Sequence, residues 1–416
     1  MKRIGYACLA LAVPDTDFKS CTMKNATDER LLELIAHNLS SLENLVDYNI
    51  RNGILLFRIS SDIIPFGSSQ VNQLEWWNIF GEDFDRLRNK IKTSGMRVSM
   101  HPGQYTVLNS PDEGIVQRAV ADLEYHNRFM ECLGATSENK IILHLGGVYG
   151  EPAKAKERFL RNYSNLSDSI KEKLVLENDD RSYTICDVLE TAMKAEIPVV
   201  YDNLHNSVKD CGSSDDVVWI RECHSTWKER DGRQKIHYSQ QDKNRQPGAH
   251  TGTIGIDEFL EFYDGLDDYD IDIMLEVKDK NVSAIKCMNC TDPEEHEGNL
   301  QRDWARYKYM IMEKSQEKYK EGRQLFSEKK YPAVEFYRLV ESCMDLEIKP
   351  GEAINAAEHV WGYFKDAAEE SEKRKFMKSL EKYKSGKASL ASVKNQLYLL
   401  AKKYDSAYLL ESYYFI

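Results

Sequence analysis

Short apolar runs alternate with longer amphipathic stretches over the first 280 residues of the chain. Strands that are buried on both faces read as near-continuous apolar runs, and amphipathic helices show apolar positions three or four residues apart. The pattern predicts eight strands, at Arg3–Leu11, Gly53–Ser60, Arg97–His101, Lys140–Leu145, Leu174–Glu177, Pro198–Asp202, Lys235–Tyr238 and Ile271–Val277.

The segments between these strands predict helices, two of which are followed by the stop signals Gly95 and Gly134. The predicted helices are Asp28–Tyr48, Asp83–Thr93, Ile115–Leu133, Ala153–Lys173, Ile185–Glu196, Asp215–Glu229 and Ile256–Tyr263. Eight alternating strands and helices in about 250–300 residues match an α/β fold of the (β/α)₈ TIM-like barrel type. A doubly wound open sheet is the alternative, but no GxGxxG or GxxxxGK[ST] loop follows a strand.

From about residue 301 the pattern is helical throughout, with Pro332, Pro350 and Gly386 as breaks. The sequence therefore predicts a barrel domain at residues 1–290 and a small all-helical domain of unknown role at residues 301–416. The tail holds 22 Lys and Arg against 18 Asp and Glu, a net charge of +4, so residues 1–300 carry −16 of a total that is −12. An acidic barrel argues against a diffuse basic surface for nucleic acid, which leaves a local groove or bound cations.

The cysteines and the hydropathy pattern indicate where the chain resides. Nine cysteines, an odd number scattered along the chain, favour reduced thiols and a cytoplasmic protein over a disulfide framework. Cys287 and Cys290 form a CxxC pair without a second pair at zinc-ribbon spacing, so we interpret them as structural. No window approaches the roughly 18 apolar residues that a membrane helix needs, so no membrane partner is expected.

Candidate chemistry lies at the ends of the predicted strands, where (β/α)₈ barrels build their active sites. From the third strand onward, nearly every strand ends in, or is followed by, a histidine or a carboxylate. The set consists of His101, His144, Glu177, Asp202, His205, His237, His250 and Glu276, with Lys235 two residues before His237. A ring of imidazoles and carboxylates at one rim would be costly to hold together without cations, so the pattern predicts metal binding.

The number of ligands indicates how many ions there are and what they do. Eight ligands are too many for one ion, so we expect two to three divalent ions bridged by a carboxylate, and mixed nitrogen and oxygen ligands suit Zn²⁺, Mn²⁺ or Fe²⁺. Clustered ions bind a scissile phosphate and activate water, which favours phosphodiester hydrolysis. A metal-dependent sugar isomerase or epimerase on the same barrel is one alternative, and a non-catalytic binding protein on a degenerate barrel is another.

The ordered motifs of the first 287 residues resemble the UV damage endonuclease family, a divergent relative of the endonuclease IV barrels. They are RIGYACLAL, SMHPGQYTVLNSP, LHLGGVYG, LVLEND, YDNLHN, KIHYSQQ, PGAHTG and MLEVKDK. The resemblance implies a (β/α)₈ fold and a three-metal site, usually with manganese, although zinc stays possible. It also implies damaged double-stranded DNA as the partner, nicked immediately 5′ to cyclobutane dimers and 6-4 photoproducts and also at abasic sites. We expect a monomer.

The resemblance assigns the ligands of each ion. The first ion takes His101, His144 and the bridging Glu177. The second shares Glu177 and adds Asp202, His237 and Glu276, and the third takes His205 and His250. Glu177, Glu276 and Lys235 are the implied catalytic residues.

Lys235 and Gly248 are the positions that decide where an oxygen ligand of the third ion would come from. Lys235 matches a lysine that the family carboxylates. As a carbamate it would supply the oxygen that endonuclease IV relatives provide at the position of Gly248. The alternative is an unmodified Lys235 that has a depressed pKa or points outward.

Lesion contacts are implied at three further positions. Gln104 and Tyr105 match the pair that enters the duplex at the lesion, where an aromatic ring stacks on neighbouring bases. Tyr6 matches another lesion-contacting position, with a core tyrosine as the alternative. The segment Leu9-Ala10-Leu11 lacks the polar residue that family members often carry there.

Overall fold

The computed structural model describes residues 2–266 and 269–416. The chain divides into two compact units. The first consists of the residues up to Ala10 together with Asp15–Ile254 and Glu261–Ala284. The second consists of Leu11–Pro14, Gly255–Leu260 and Ile285–Ile416.

Parallel strands close the first unit into a barrel in which each strand pairs with the next and the last pairs with the first. The described residues contain eight strands: β1 Arg3–Ala7, β2 Leu56–Ile59, β3 Arg97–Met100, β4 Ile141–His144, β5 Leu174–Glu177, β6 Val199–Asp202, β7 Gln234–Tyr238 and β8 Ile271–Leu275. The predicted strands are confirmed with shorter bounds, and so is the α/β barrel.

Helices follow the strands and continue to the end of the chain. They are α1 Asp28–Arg51, α2 Trp76–Ile79, α3 Gly81–Ser94, α4 Glu113–Cys132, α5 Pro152–Ser164, α6 Asp168–Lys173, α7 Ile185–Ala195, α8 Asn203–Val208, α9 Asp216–His224, α10 Ile256–Gly265, α11 Asn281–Thr291, α12 Pro293–Lys314, α13 Gln316–Glu328, α14 Ala333–Met344, α15 Pro350–Trp361, α16 Glu370–Lys384, α17 Leu390–Lys403 and α18 Ala407–Leu410. Three short 3₁₀ turns add Met23–Asn25, Glu229–Asp231 and Tyr413–Phe415.

Two predicted helices differ from the structure. The segment Ala153–Lys173 forms two helices rather than one, because Ser167 adopts an extended backbone before α6, as residues that precede helices do. The segment Asp215–Glu229 is helical only as far as His224. The short helix α8 was not predicted; Asp202 caps it by accepting a hydrogen bond from the backbone N–H of His205 at 2.8 Å.

The alternating direction of side chains along each strand positions the candidate site. Side chains two residues apart on a strand share a face, and the inner faces of three strands meet in a buried cluster of Ile142, Val175 and Val200. Two residues further along, the same strands carry His144, Glu177 and Asp202. The chain direction is the same in all the strands, so these side chains enter the same mouth of the barrel.

The second unit is helical, as predicted. Its core includes Tyr309, Phe364, Phe376, Leu397 and Tyr414, so several of the tail's aromatic residues pack inward. The predicted breaks are confirmed, because Pro332 precedes α14, Pro350 begins α15 and Gly386 lies between α16 and α17. Helix α12 passes through residue 301 without a break, and the domain limits at residues 290 and 301 stay a prediction.

The expectation of reduced thiols is wrong for one pair. Cys186 and Cys211 form a disulfide although 25 residues separate them in the sequence. Cys186 lies in the first turn of α7, and the loop after α8 brings the two Cα atoms to 6.2 Å, a separation that a disulfide can span. Cys287 and Cys290 lie on α11 and are thiols rather than members of a disulfide. Within the described residues, no helix combines the length and apolar character needed to cross a membrane.

Candidate metal centre

Glu177 lies at the centre of the barrel mouth, at the end of β5. Its Oε1 accepts a hydrogen bond from Nδ1 of His237 at 2.6 Å, and its Oε2 lies 2.9 Å from Nε2 of His101 and 3.5 Å from Nε2 of His144. Burial alone would raise the pKa of Glu177, but the three histidines outweigh it and hold the pKa well below its usual range. The carboxylate is therefore ionised and fixed by three neighbours.

Two sets of side chains come close enough to hold a metal ion each, and Glu177 belongs to both. One ligand atom per residue lies within 4.8 Å of the others in the sets His101, His144, Glu177 and Glu177, Asp202, His237, Glu276. We call these the first and second ligand groups. Their composition equals the ligand sets that the resemblance implies for the first two ions.

One ligand atom of the second group, Oδ2 of Asp202, is buried without a hydrogen-bond partner. The ring nitrogens that face Glu177 are Nε2 of His144 and Nδ1 of His237. Leaving a buried polar atom unsatisfied costs about 1–3 kcal/mol, and lone pairs on imidazole and carboxylate are the donors that Mn²⁺ and Zn²⁺ accept. The residues present therefore fit a pair of divalent cations.

His205 and His250 lie at the edge of this site and belong to neither ligand group. Nδ1 of His205 donates to the carbonyl of Asn178 at 2.9 Å, and Nδ1 of His250 lies 3.9 Å from Oε2 of Glu276. Burial opposes a charge on His205, but the carboxylates of Asp202, Glu177 and Glu276 raise its pKa to about 9. The carboxylates of Glu177 and Asp202 each lie 3.8 Å from Nδ1 of His205, but both already belong to the second ligand group.

Arg58 is a neighbour of the site that the sequence analysis did not single out. It lies on β2, and its guanidinium, part of a side chain that is 12% exposed, forms an ion pair with Glu276, which follows β8. Burial would raise the pKa of Glu276, but Arg58 and His237 lower it below its usual range. The signal in the sequence was a single arginine in the otherwise apolar strand LFRI.

Lys235 is completely buried inside the barrel, and its Nζ has no hydrogen-bond partner. It lies in register with Asp272, two residues before His237 on the same face of β7. Burial, together with the nearby cations of Arg97 and Arg58, holds the pKa of Lys235 well below its usual range. The side chain points inward, one layer beneath the ligand groups, and its surroundings favour the neutral amine over the ammonium.

Gln104 and Tyr105 lie exposed on the loop after β3, and 69% of Tyr105 is accessible. The Tyr105 ring lies across Gly103, where an added Cβ would come within 2.5 Å of it. Both residues line a groove of about 1030 Å³ that also includes Tyr149. The loop thus presents an aromatic ring to solvent next to His101.

Tyr6 is not available to contact DNA, which corrects the expectation for this residue. It is fully buried, its hydroxyl donates to Oδ1 of Asn49 at 2.8 Å, and its ring packs against Phe57. Because Ala7 belongs to the buried cluster with Leu56 and Met274, the alternation turns Tyr6 to the opposite face of β1, toward α1. The alternative of a core tyrosine is confirmed.

Comparisons with known proteins agree with this geometry. The sequence model of the family UV-endonuclease UvdE matches residues 2–299. The UV DNA damage endonuclease of Clostridium perfringens is 44% identical over 292 residues, which are 69% of this chain and 70% of the relative. The putative UV-damage endonuclease of Acanthamoeba polyphaga mimivirus is 32% identical over 295 residues, 68% of this chain and 89% of the relative.

A solved structure and a second family complete the comparison. The crystal structure of SacUVDE superposes with a TM-score of 0.66 at 34% identity, covering 70% of this chain and 98% of that one. Residues 308–416 match a family described as protein of unknown function (DUF1722). The chain belongs to the UV-endonuclease UvdE family and is a repair endonuclease for UV-damaged DNA.

Proposed function

We propose that the protein nicks duplex DNA immediately 5′ to cyclobutane dimers and 6-4 photoproducts, and also at abasic sites, in a reaction that depends on divalent metal ions. Mn²⁺ is the expected ion and Zn²⁺ the alternative. The observation that carries the proposal is the shared Glu177, which joins two groups of imidazole and carboxylate donors in the mouth of the barrel. Family membership favours this reaction over the sugar isomerase and the non-catalytic binding protein.

The ions would supply positive charge to the phosphodiester and an activated water at neutral pH. The chain's own residues hold this site in place. Glu177 fixes the separation of the two groups, and Arg58 fixes the carboxylate of Glu276 by pairing with it. Partners that orient ligands in this way tune metal affinity by about 10–100-fold.

Gln104 and Tyr105 are proposed to read the lesion. A side chain that enters the duplex must fill the space of an extruded base, and stacking on an aromatic ring stabilises the neighbouring base by about 1–3 kcal/mol. Photoproducts and abasic sites have different chemistry but share weakened stacking. A site that senses easy unstacking can therefore accept all of them.

Lys235 is proposed to be carboxylated in the active protein. Its amine would add to CO₂ with loss of one proton, and the resulting carbamate anion would face the cations of Arg97 and Arg58. The support is an inward, fully buried Nζ with no hydrogen-bond partner. A carbamate signal in the carbon-13 spectrum after incubation with labelled bicarbonate, absent in Lys235→Met, tests this step.

The function is tested with an end-labelled duplex that carries one thymine dimer, incubated with Mn²⁺ and mapped to the nucleotide. Parallel reactions contain an abasic duplex and undamaged DNA. His101→Ala should abolish the nick, whereas His359→Ala, an exposed histidine of α15, should leave it unchanged. A cut at any place other than 5′ to the dimer refutes the proposal, and cutting only at the abasic site would identify a general abasic endonuclease.

A further inference from the structure

The loop after β5 lies next to the two histidines that belong to neither ligand group. The carbonyl of Asn178 accepts the hydrogen bond from Nδ1 of His205. Two residues later, Oδ2 of Asp180 lies against Gly248, which is two residues before His250. The segment 178–180 therefore contacts His205 at one end and the loop that carries His250 at the other.

Asp180 occupies the space that a side chain at position 248 would need. An added Cβ on Gly248 would lie 2.9 Å from Oδ2 of Asp180, and the φ of Gly248 is +84°. The first value is closer than Cβ atoms approach oxygen, so a side chain at 248 would displace the end of the Asp180 side chain. In this chain the carboxylate at this place comes from the β5 loop.

Asp180 is free to bind a cation, whereas its neighbour is not. Asp179 accepts hydrogen bonds from the backbone N–H groups of Arg181 and Tyr183 at 2.8 and 3.1 Å, so its carboxylate shapes the loop. Asp180 has one ion-pair contact among the described residues, a long one of 3.7 Å to Nε of Arg181. Its oxygens are therefore available for another partner.

His205 is also oriented so that one of its ring nitrogens can bind a cation. Because its Nδ1 is held by a backbone carbonyl, the ring is fixed and Nε2 remains as the ligand atom, which is the usual arrangement of metal-binding histidines. Two imidazoles are an incomplete set, since catalytic sites for such ions normally take three protein ligands. A carboxylate next to both histidine-bearing loops would complete it.

We propose that Asp180 is the oxygen ligand of a third divalent ion, which it binds together with His205 and His250. This inference rests on the proposed function of the site. It assigns the oxygen to Asp180 rather than to carboxylated Lys235, because Lys235 lies level with Asp272, a layer beneath the ligand groups. The carbamate would then balance the charge of Arg97 and Arg58.

The test is the metal content of the full-length protein after equilibration with Mn²⁺ and removal of free ions, measured by plasma mass spectrometry. We expect three ions per chain in the parent protein and two in Asp180→Asn. Asp168→Asn, a change at a side chain that is 94% exposed, is the matched control and should keep three.

An exchange variant makes the test independent of folding defects. The double change Asp180→Gly with Gly248→Asp returns a carboxylate to the same place from the other loop, and aspartate tolerates a positive φ better than most residues. It should recover the third ion. Three ions in Asp180→Asn, two in the parent protein, or no recovery in the exchange variant would each overturn the inference.

The nicking assay on the same samples separates the two proposals. A parent protein that nicks next to a dimer, with an ion count that Asp180→Asn leaves unchanged, refutes the third site and retains the function. A parent protein that binds three ions and cuts no damaged duplex refutes the function, while the ion counts still decide the ligand.

Discussion

Asp272 and Arg97 form a buried ion pair inside the barrel, beneath the candidate metal centre. Oδ2 of Asp272 lies 2.8 Å from Nη1 of Arg97, and the two side chains are 0% and 4% exposed. Arg233 reaches the other oxygen at 3.4 Å, and Lys235 lies in register on the next strand. Asp272→Asn keeps the shape of the side chain and removes its charge.

The expected loss of stability follows from the buried charge that remains. Removing one partner of a buried pair typically costs about 3–5 kcal/mol, because the other charge is left uncompensated. Arg97 keeps hydrogen bonds to the carbonyls of Glu138 and Asp231 at 2.7 and 2.9 Å. These contacts stay in place, so we expect the lower end of the range, about 3 kcal/mol in the free energy of unfolding.

Asp270 provides a matched control on the same segment. It pairs with Arg233 at 2.9 Å but is 62% exposed, and exposed pairs contribute about 0–1 kcal/mol. Urea unfolding of the metal-free protein, followed by circular dichroism and tryptophan fluorescence, measures both variants. A loss in Asp272→Asn no larger than the loss in Asp270→Asn would refute the reasoning.

Three further predictions concern the loop, a buried lysine and the ions. Tyr105→Ala should weaken binding to a dimer-containing duplex by about 5–150-fold, the equivalent of 1–3 kcal/mol of stacking. The urea midpoint should stay unchanged because the side chain is exposed. Equal weakening on undamaged DNA would contradict a lesion contact. Burial lowers the pKa of Lys140 from 10.5 to about 8 despite its contact with Asp231. The unfolded state therefore binds the extra proton between these values, and the free energy of unfolding should rise with pH there by up to about 1.4 kcal/mol per unit. Urea titrations from pH 7.5 to 10 should show a smaller rise in Lys140→Met, and identical slopes would contradict the assignment. Chelation should lower the thermal midpoint, and Mn²⁺ at 100 times its dissociation constant should restore about 2.7 kcal/mol; an unchanged midpoint would speak against ions in the ligand groups.

The barrel and most of its rim could be predicted from the sequence because both depend on local pattern. Apolar runs located the strands, and the rule that parallel strands present their carboxyl ends at one mouth brought distant histidines together. His144, Glu177 and Asp202 each lie two residues beyond an apolar residue of the inner face, so alternation alone placed them inside.

Other features depend on contacts between distant segments, which pattern does not encode. Arg58 meets Glu276 across 218 residues of sequence, and Cys186 meets Cys211 only because the loop after α8 reaches the first turn of α7. Tyr6 was misplaced because its position within a motif does not show which face of the strand it occupies. The contact of Asp180 with Gly248 is another contact between distant segments, and the local sequence around either residue predicts only an ordinary loop.

Beneath the ligand groups, β3 and β8 carry charged side chains where barrel interiors usually carry branched apolar ones. Arg97 and Asp272 neutralise each other there, and Arg58 extends upward to Glu276. A protonated Lys235 at this level would repel a cation held by His237, which lies two residues further along the same face of β7. Burial holds the pKa of Lys235 well below its usual range and so reduces that repulsion, and a carbamate would reverse the sign of its charge. The lowered pKa of Lys235, which burial chiefly causes, is therefore compatible with a cation held at His237.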